Sequence, residues 1–364
     1  MPRPLQHEAR SVRALTLRAG PEAMRLIRER GLRAADIDII PGASGGAKWL
    51  AIAGLDRFLF GSFLAEPRAR TLHLIGSSIG SWRMACLGQR DPVAALARGH
   101  HAYIYEQRYS KQPSTREVTA VLTRCLTLIL GDTGTDEILS HPWARQHIIT
   151  THGRGLAASE RRLLLTAGIA LAAAGNLVSR KSLALQLTRF IFHSAGDRSP
   201  FRSLADLPTE HVTLTRENLL PALTASGSIP LLMEAVKIPG TPRGVHWDGG
   251  VLDYHLDLDF GPGDGLVLYP HFYSHVVPGW FDKSLRWRRS GGANFRRALL
   301  LAPSDDFVRA LPRGKIPDRR DFYAMDDATR QVTWQRVVDE SERLGDELAD
   351  LLRTGEVAAR LQPW

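Results

Sequence analysis

The chain has 364 residues, of which 44% are hydrophobic and 23% are charged, and these proportions are typical of globular proteins. A chain of this length can bury a large core, as one big α/β domain or as one domain with additions. Its two cysteines, Cys86 and Cys125, are too few for a disulfide framework. We therefore expect a cytoplasmic enzyme in a reducing compartment, with Cys86 as a small core residue rather than a second nucleophile.

The N-terminal region is expected to lead straight into a sheet. The first eight residues, M-P-R-P-L-Q-H-E, lack the apolar stretch of a secretory signal. Residues 21–30 predict a helix, and residues 37–40 predict the first strand.

A glycine-rich turn follows this strand. Residues 42–48 read G-A-S-G-G-A-K and lead into an apolar helix that starts at Trp49. The consecutive glycines Gly45 and Gly46 can direct backbone N–H groups towards a developing oxyanion, assisted by the N-terminus of the helix.

A second glycine turn follows the next strand. Residues 71–75 predict that strand, residues 76–80 read G-S-S-I-G, and residues 81–87 predict a helix. This is the G-x-S-x-G pattern of a nucleophile elbow, in which a sharp turn holds a serine Oγ clear of the sheet. Glycines suit such a turn because it needs strained dihedral angles and lets a substrate approach the backbone.

The G-x-S-x-G pattern occurs twice, since residues 42–46 match it as well. In a chain with 32 glycines, either match alone is most simply an ordinary strand-to-helix turn. The consecutive glycines of the first turn favour oxyanion binding, and the single serine at the tip of the second favours a nucleophile. We therefore predict that Gly45, Gly46 and Lys48 serve the oxyanion and that Ser78 is the nucleophile.

The rest of the chain alternates between strands and helices. The most apolar segment, residues 163–178, predicts a buried or hairpin helix, and its basic flanks at residues 161–162 and 180–181 leave a membrane-dipping lid as an alternative. Asp248, in W-D-G-G, ends another glycine-rich strand and is by itself a common turn residue. Residues 326–361 carry apolar side chains at helical spacing. Further strands are expected at residues 147–151, 211–215, 244–247, 265–269 and 298–301.

These elements predict an α/β fold with a mainly parallel sheet, helices on both faces and a C-terminal helical extension. We expect a catalytic domain over residues 1–280 that includes the N-terminal helix. Residues 281–364 are expected to add a basic segment, a strand and a helix packed on the same core.

Taken together and in this order, the motifs resemble those of the patatin-like phospholipase family. That family combines a glycine-rich oxyanion loop ending in a basic residue, a G-x-S-x-G serine and an Asp-Gly-Gly or Asp-Gly-Ala aspartate; the counterparts here are residues 44–48, Ser78 and Asp248. Residues 225–230, A-S-G-S-I-P, look like the family's segment before the aspartate strand. The resemblance covers residues 37–252 and implies a patatin-like catalytic domain.

The chain also departs from the family's pattern. Ser44 stands where the family's loop usually begins with glycine, and Lys48 replaces the usual arginine. Because lysine lacks the planar fork of arginine, we expect a different anchor for the loop. Residues 251–255, V-L-D-Y-H, lack the asparagine–proline pattern often found after the aspartate.

The resemblance implies a serine acyl hydrolase of lipid esters, a phospholipase or lysophospholipase acting in lipid degradation. Ser78 would attack an ester carbonyl as Asp248 takes its proton directly, with the N–H groups of Gly45 and Gly46 holding the oxyanion. Asp248 would then activate the water that cleaves the acyl-enzyme. This chemistry requires neither a metal nor an organic cofactor.

Three alternatives remain open. The first is an α/β-hydrolase esterase with a Ser–Asp–His triad that uses His255, His271 or His275. The second is a nucleotide-binding protein in which residues 42–48 form a phosphate loop. Such a loop needs serine or threonine to bind magnesium at the position that Trp49 occupies here. The third is a lipid-binding scaffold without catalytic activity.

The formal net charge of +9 points to a partner surface. Basic and aromatic side chains alternate after residue 279, which suits peripheral contact with an anionic membrane surface, while a solvated basic surface is the alternative. We find no recognised nucleic-acid-binding motif and expect no nucleic-acid partner. The residues concerned are Lys283, Arg286, Arg288, Arg289, Arg296 and Arg297, with Trp280, Phe281, Trp287 and Phe295.

Overall fold

The computed structural model describes residues 13–196 and 198–364. The first eight residues, on which the expectation about a secretory signal rests, lie outside this part of the chain. Within it, ten strands form one sheet. They are β1 (Leu15–Ala19), β2 (Ile37–Gly42), β3 (Leu72–Ser77), β4 (Ala144–Gly153), β5 (Leu187–His193), β6 (Thr209–Thr213), β7 (His246–Asp248), β8 (Leu266–Pro270), β9 (Ala298–Pro303) and β10 (Leu361–Pro363).

The strand order in the sheet is β10-β1-β9-β8-β2-β3-β4-β5-β6, and β7 pairs with β4. The five central strands, from β9 through β4, run parallel. Antiparallel pairs flank them, β1 with β9 on one side and β5 and β7 with β4 on the other. Every residue of β8 and β9 is buried, as expected for central strands whose two faces are both covered. The predicted α/β fold with a mainly parallel sheet is confirmed.

Thirteen α-helices accompany these strands in the described residues. They are α1 (Pro21–Arg30), α2 (Ala53–Phe58), α3 (Ile79–Leu87), α4 (Pro92–His101), α5 (Thr115–Leu130), α6 (Gly134–Leu139), α7 (Arg162–Val178), α8 (Arg216–Ser226), α9 (Asp305–Ala310), α10 (Asp321–Ala324), α11 (Asp327–Glu340), α12 (Glu342–Thr354) and α13 (Val357–Arg360). Within the described residues, no helix has both the length and the apolar character required to cross a membrane.

The helix that follows the second glycine turn, α3, is fixed to its neighbour α2 by a buried ion pair. Arg83 Nε and Nη2 donate to the two carboxylate oxygens of Asp56 at 2.5 and 2.6 Å. Both side chains are almost completely enclosed. Removing either partner would leave a buried charge uncompensated, so either single substitution is expected to destabilise the fold.

The C-terminal residues are divided more finely than their pattern predicts. The helix expected over residues 326–361 is three helices followed by the edge strand β10. Its first break lies at Ser341, whose Oγ accepts the N–H of Gly54 at 2.8 Å and donates to the Val338 carbonyl at 2.6 Å. A side chain at Gly54 would meet the Ser341 carbonyl oxygen at 2.4 Å, so the break allows α2 and α12 to approach closely.

Four histidines form a hydrogen-bonded row across neighbouring strands. His73 on β3 contacts His147 on β4 (Nδ1 to Nε2, 3.0 Å). His147 then contacts His193 on β5 at 2.8 Å, and His193 contacts His211 on β6 at 2.6 Å. Burial lowers the pKa of His73 to about 4 and that of His193 to about 3, which keeps these two imidazoles neutral at pH 7.

Candidate active site

Ser78 occupies a strained turn between β3 and α3. Its φ is 54° and its ψ is −133°, a left-handed conformation that a residue with a Cβ adopts only when its surroundings impose it. Its backbone N–H donates to Ser226 Oγ at 2.9 Å. This geometry is the one expected of a nucleophile elbow.

Glycines make the turn possible because backbone meets backbone beside Ser78. A Cβ added at Gly80 would lie 1.9 Å from the Gly42 carbonyl oxygen. One added at Gly76 would lie 2.5 Å from the carbonyl carbon of Gly80. The end of β2 therefore packs directly against the first turn of α3, which leaves no room for a side chain at these positions.

Asp248 lies at the end of β7, beside the elbow. Its Oδ2 accepts a hydrogen bond from the Ser78 hydroxyl at 2.7 Å, and its Oδ1 accepts a hydrogen bond from the Gly250 backbone N–H at 2.7 Å. Its backbone N–H donates to the Ser228 carbonyl at 2.8 Å. The carboxylate is thus oriented by its own glycine turn, with one oxygen left to act on Ser78.

Burial raises the pKa of Asp248 to about 6, and the hydrogen bonds from Ser78 and Gly250 and the charge of Lys283 offset part of that rise. An ordinary aspartate has a pKa near 4, which makes it a poor proton acceptor at neutral pH. A carboxylate with a pKa nearer the working pH is better matched to general-base chemistry.

Ser44, the serine of the first glycine turn, is bonded in a different way. Its Oγ contacts Ser77 Oγ at 2.7 Å and donates to the Ser77 carbonyl at 3.2 Å. Ser77 Oγ in turn donates to the Asp253 carbonyl at 2.5 Å. Ser44 is buried and also lines the cavity of Ser78, but it joins the first glycine turn to β3, and among the described residues no carboxylate accepts a hydrogen bond from its hydroxyl.

Gly45 and Gly46 line the same cavity as Ser78 and Asp248. In residues 13–196 and 198–364, no protein group accepts the backbone N–H of either glycine. These are the unpaired donors expected at the start of a helix, here the 3₁₀-helix Gly46–Ile52. They are therefore available to an oxygen atom inside the cavity.

Lys48 lies on the wall of this cavity and supports the loop. Its Nζ is 3.5 Å from the Gly45 carbonyl oxygen and 6.0 Å from the centre of the Phe272 ring. Burial lowers its pKa. The following Trp49 is buried and provides no hydroxyl for magnesium, which argues against a phosphate loop.

The cavity above these residues has a volume of about 800 Å³. Lys283 and Arg319 on its wall add positive charge. The Lys283 ammonium lies 3.9 Å from the centre of the Tyr254 ring. Desolvation in this position lowers the pKa of Lys283 to about 7, with the charge of Lys48 as the next cause.

The three histidines considered for a triad are bonded elsewhere, and none lines this cavity. His255 Nδ1 accepts the N–H of Val277 at 3.1 Å, and its ring packs on His271. His271 Nδ1 accepts the N–H of Tyr273 at 2.8 Å, and His275 stacks on the Tyr273 ring. The arrangement thus favours a Ser–Asp dyad over a triad.

Two residues at the site carry no role in the sequence-based prediction. Ser226 accepts the N–H of Ser78 and the hydroxyl of Ser81 at 2.9 Å each, and it donates to the Ile149 carbonyl at 2.7 Å. Ser226 lies in the A-S-G-S-I-P segment, and the resemblance of that segment to the family's pattern is the one sequence signal that could have indicated a role for this residue. Lys283 is predicted on a basic surface, and nothing in its local sequence indicates that it reaches the cavity of Ser78.

All five predicted site residues, Ser78, Asp248, Gly45, Gly46 and Lys48, line one cavity. No protein-family model matches the chain, and no curated protein matches it either.

Proposed function

We propose that this protein is a serine acyl hydrolase of lipid esters, similar to the patatin-like phospholipases and lysophospholipases. The observation that carries the proposal is the direct 2.7 Å hydrogen bond from Ser78 Oγ to Asp248 Oδ2. This bond lies at a strained serine turn, in a cavity that is also lined by Gly45 and Gly46, whose N–H groups have no acceptor among the described residues.

In the first half of the reaction, Ser78 Oγ bonds to the ester carbonyl carbon while its proton passes to Asp248. The carbonyl oxygen becomes an oxyanion and accepts hydrogen bonds from the backbone N–H groups of Gly45 and Gly46. When the tetrahedral intermediate collapses, the carbon–oxygen bond of the ester breaks. The leaving alcohol takes the proton from Asp248, and an acyl group remains on Ser78.

In the second half, Asp248 accepts a proton from a water molecule as the water oxygen attacks the acyl carbon. Collapse of this second intermediate returns the proton to Ser78 Oγ and releases the fatty acid. Both halves use one carboxylate that alternates between base and acid, which suits a pKa of about 6.

The test uses a fluorophosphonate probe, which reacts with activated serines, together with p-nitrophenyl ester hydrolysis. Ser78→Ala is expected to abolish labelling and to lower turnover by at least about 1000-fold, since the nucleophile is lost. Asp248→Asn is expected to suppress both readouts because the proton acceptor is removed.

Ser44→Ala is the matched control, because it removes the serine of the other glycine turn and leaves the backbone N–H groups of that turn in place. It is expected to keep labelling. Labelling that persists in Ser78→Ala and disappears in Ser44→Ala would reverse the assignment of the two turns. A lipid panel read by mass spectrometry, with Ser78→Ala as the blank, then identifies the ester that is cleaved.

A further inference from the structure

Helix α7 presents an apolar face to solvent. Its inward face packs on the protein through the buried residues Leu165, Gly168, Ala172 and Asn176. Its opposite face carries no charged side chain after Arg162. Isolated exposed leucines are ordinary, but a helix face made of them is unusual on a monomeric protein.

Two segments that pack on α7 extend this surface. The 3₁₀-helix Arg180–Leu185 exposes Leu185, and the 3₁₀-helix Arg286–Arg288 exposes Trp287. Arg288 Nη2 donates to the Asn176 carbonyl at 3.0 Å, which holds the Trp287 turn at the end of α7. The apolar patch consists of side chains that are each between 41% and 87% exposed: Leu163, Leu164, Leu171, Leu177, Val178, Leu185 and Trp287.

The patch is bordered by unpaired positive charge. Residues 161–196 contain no Asp or Glu, and neither do residues 283–297. Arg180 is paired with Asp253 and Asp282, whereas, among the described residues, no carboxylate pairs with the other five basic side chains that border the patch, which are all exposed. They are Arg161, Arg162, Lys181, Arg286 and Arg289.

We infer that the apolar patch docks the protein on an anionic lipid bilayer. Apolar side chains enter the boundary between headgroups and acyl chains, and the basic residues around them contact anionic headgroups, each contributing about 1 kcal/mol. Because its inner face packs on the protein, α7 lies flat in this boundary. A second copy of the chain is a poorer occupant, since a two-fold interface would bring the same basic borders together.

The patch is connected to the cavity that contains Ser78. Asn176 on α7 donates through Nδ2 to Asp282 Oδ1 at 2.7 Å. Asp282 belongs to the 3₁₀-helix Trp280–Asp282, and Trp280 lines the cavity. Docking would therefore bring the cavity close to the bilayer, a consequence that rests on the proposed function, whereas the docking itself does not.

The test measures sedimentation with vesicles of phosphatidylcholine, with and without phosphatidylglycerol. It uses the whole 364-residue chain carrying Ser78→Ala, so that lipid turnover cannot alter the vesicles. The parent is expected to bind the anionic vesicles more tightly than the neutral ones. Leu171→Gln/Leu177→Gln is expected to weaken that binding at least about tenfold, because two leucines no longer contribute about 1.5 kcal/mol each.

Leu128→Gln/Val332→Gln is the matched control, since it replaces two exposed apolar residues on α5 and α11. It is expected to leave vesicle binding unchanged. Arg161→Gln/Arg162→Gln is expected to weaken binding to anionic vesicles more than about tenfold and to leave binding to neutral vesicles unchanged. Circular dichroism of each variant checks the fold, which substitutions at exposed positions are expected to preserve.

Equal binding by the parent and the leucine variant would overturn the inference. So would the absence of vesicle binding, or a dimer in solution that the leucine variant dissociates. The proposed function fails separately, through absent probe labelling of the wild-type chain, and that result leaves the vesicle measurement intact.

Discussion

The two glycine turns share one sequence pattern, G-x-S-x-G, but their serines are held in opposite ways. Ser44 is enclosed and bonded to Ser77. Ser78 is held at a φ of 54° and bonded to a carboxylate. The comparison teaches that the pattern does not by itself set the backbone shape, since only the second serine has a positive φ. The neighbouring strands decide how each serine is held and what its hydroxyl contacts.

The glycines of the two turns are crowded by different kinds of neighbour. Gly76 and Gly80 of the second turn, and Gly42 of the first, are crowded by backbone atoms, which cannot move aside. A Cβ at Gly45 of the first turn would instead meet the Phe272 ring at 2.6 Å. Because a side chain can shift in part, a substitution at Gly45 is expected to be tolerated better than one at the three glycines that meet backbone.

Gly80→Ala is expected to have the largest effect. Its Cβ would lie 1.9 Å from the Gly42 carbonyl oxygen, so β2 and α3 must separate at a cost of about 3 kcal/mol or more. Gly45→Ala is expected to cost less, about 1–2 kcal/mol, because the Phe272 ring yields. Urea unfolding of both variants measures the difference.

Gly291→Ala is the control for these substitutions, since nothing lies within 4 Å of a Cβ there; it is expected to change the free energy of unfolding by less than about 0.5 kcal/mol. Equal destabilisation by the Gly80 and Gly45 variants would contradict the distinction between crowding by backbone and crowding by a side chain.

Asp248→Asn is expected to stabilise the fold at pH 7.5 while it abolishes turnover. The folded pKa of Asp248 is about 6, above the ordinary value of 3.8. Between these two pH values the folded state binds more protons, so its stability falls as pH rises through this window. Above pH 6 the folded state carries the full cost of ionising the buried Asp248 carboxyl group. A pKa difference of two units between the folded and unfolded states corresponds to about 3 kcal/mol of stability.

The measurement is thermal and urea unfolding of wild type and Asp248→Asn at pH 4, 5, 6 and 7.5. The stability gain of the variant is expected to grow over this range, and wild-type turnover is expected to fall below pH 6 as the carboxylate takes up a proton. A gain that does not depend on pH would contradict the raised pKa.

Substitutions of the two serines are expected to give the smallest effects. Ser78→Gly and Ser78→Ala both lose the hydrogen bond to Asp248, and only glycine relieves the left-handed conformation, so the glycine variant should be more stable than the alanine variant by about 1 kcal/mol. Ser44→Ala removes the bonds to Ser77 and should destabilise the fold by about 1 kcal/mol. Parallel urea titrations measure both differences, and a Ser78→Gly variant no more stable than Ser78→Ala would contradict the strain at Ser78.

Sequence patterns predict the fold where local chemistry decides it. The bounds of α1 follow from Pro21 at its first position and Gly31 just beyond its end. Strand β5 is not among the predicted strands because Arg189 interrupts its apolar run. In the structure that arginine is buried, with Asp253 at 2.7 Å and Asp206 at 2.7 Å as its partners. A charge neutralised by distant residues leaves no local signal.

The same limit applies to the site. Ser78 and Asp248 belong to short motifs that are recognisable in the sequence, so the sequence alone predicts that the two residues act together, and in the structure their side chains are 2.7 Å apart. Ser226 and Lys283 reach the site through tertiary packing, and the row of histidines from His73 to His211 depends on strand register. Neither packing nor register can be read from spacing along the chain.

The contact between Gly42 and Gly80 has a consequence for how this chain can diverge. Because the backbones of two turns meet there, a side chain at either position would displace the other turn. A substitution at either glycine is therefore expected to disturb both turns. A search for distant relatives would gain specificity by requiring this pair at its fixed separation, in place of either short serine motif alone.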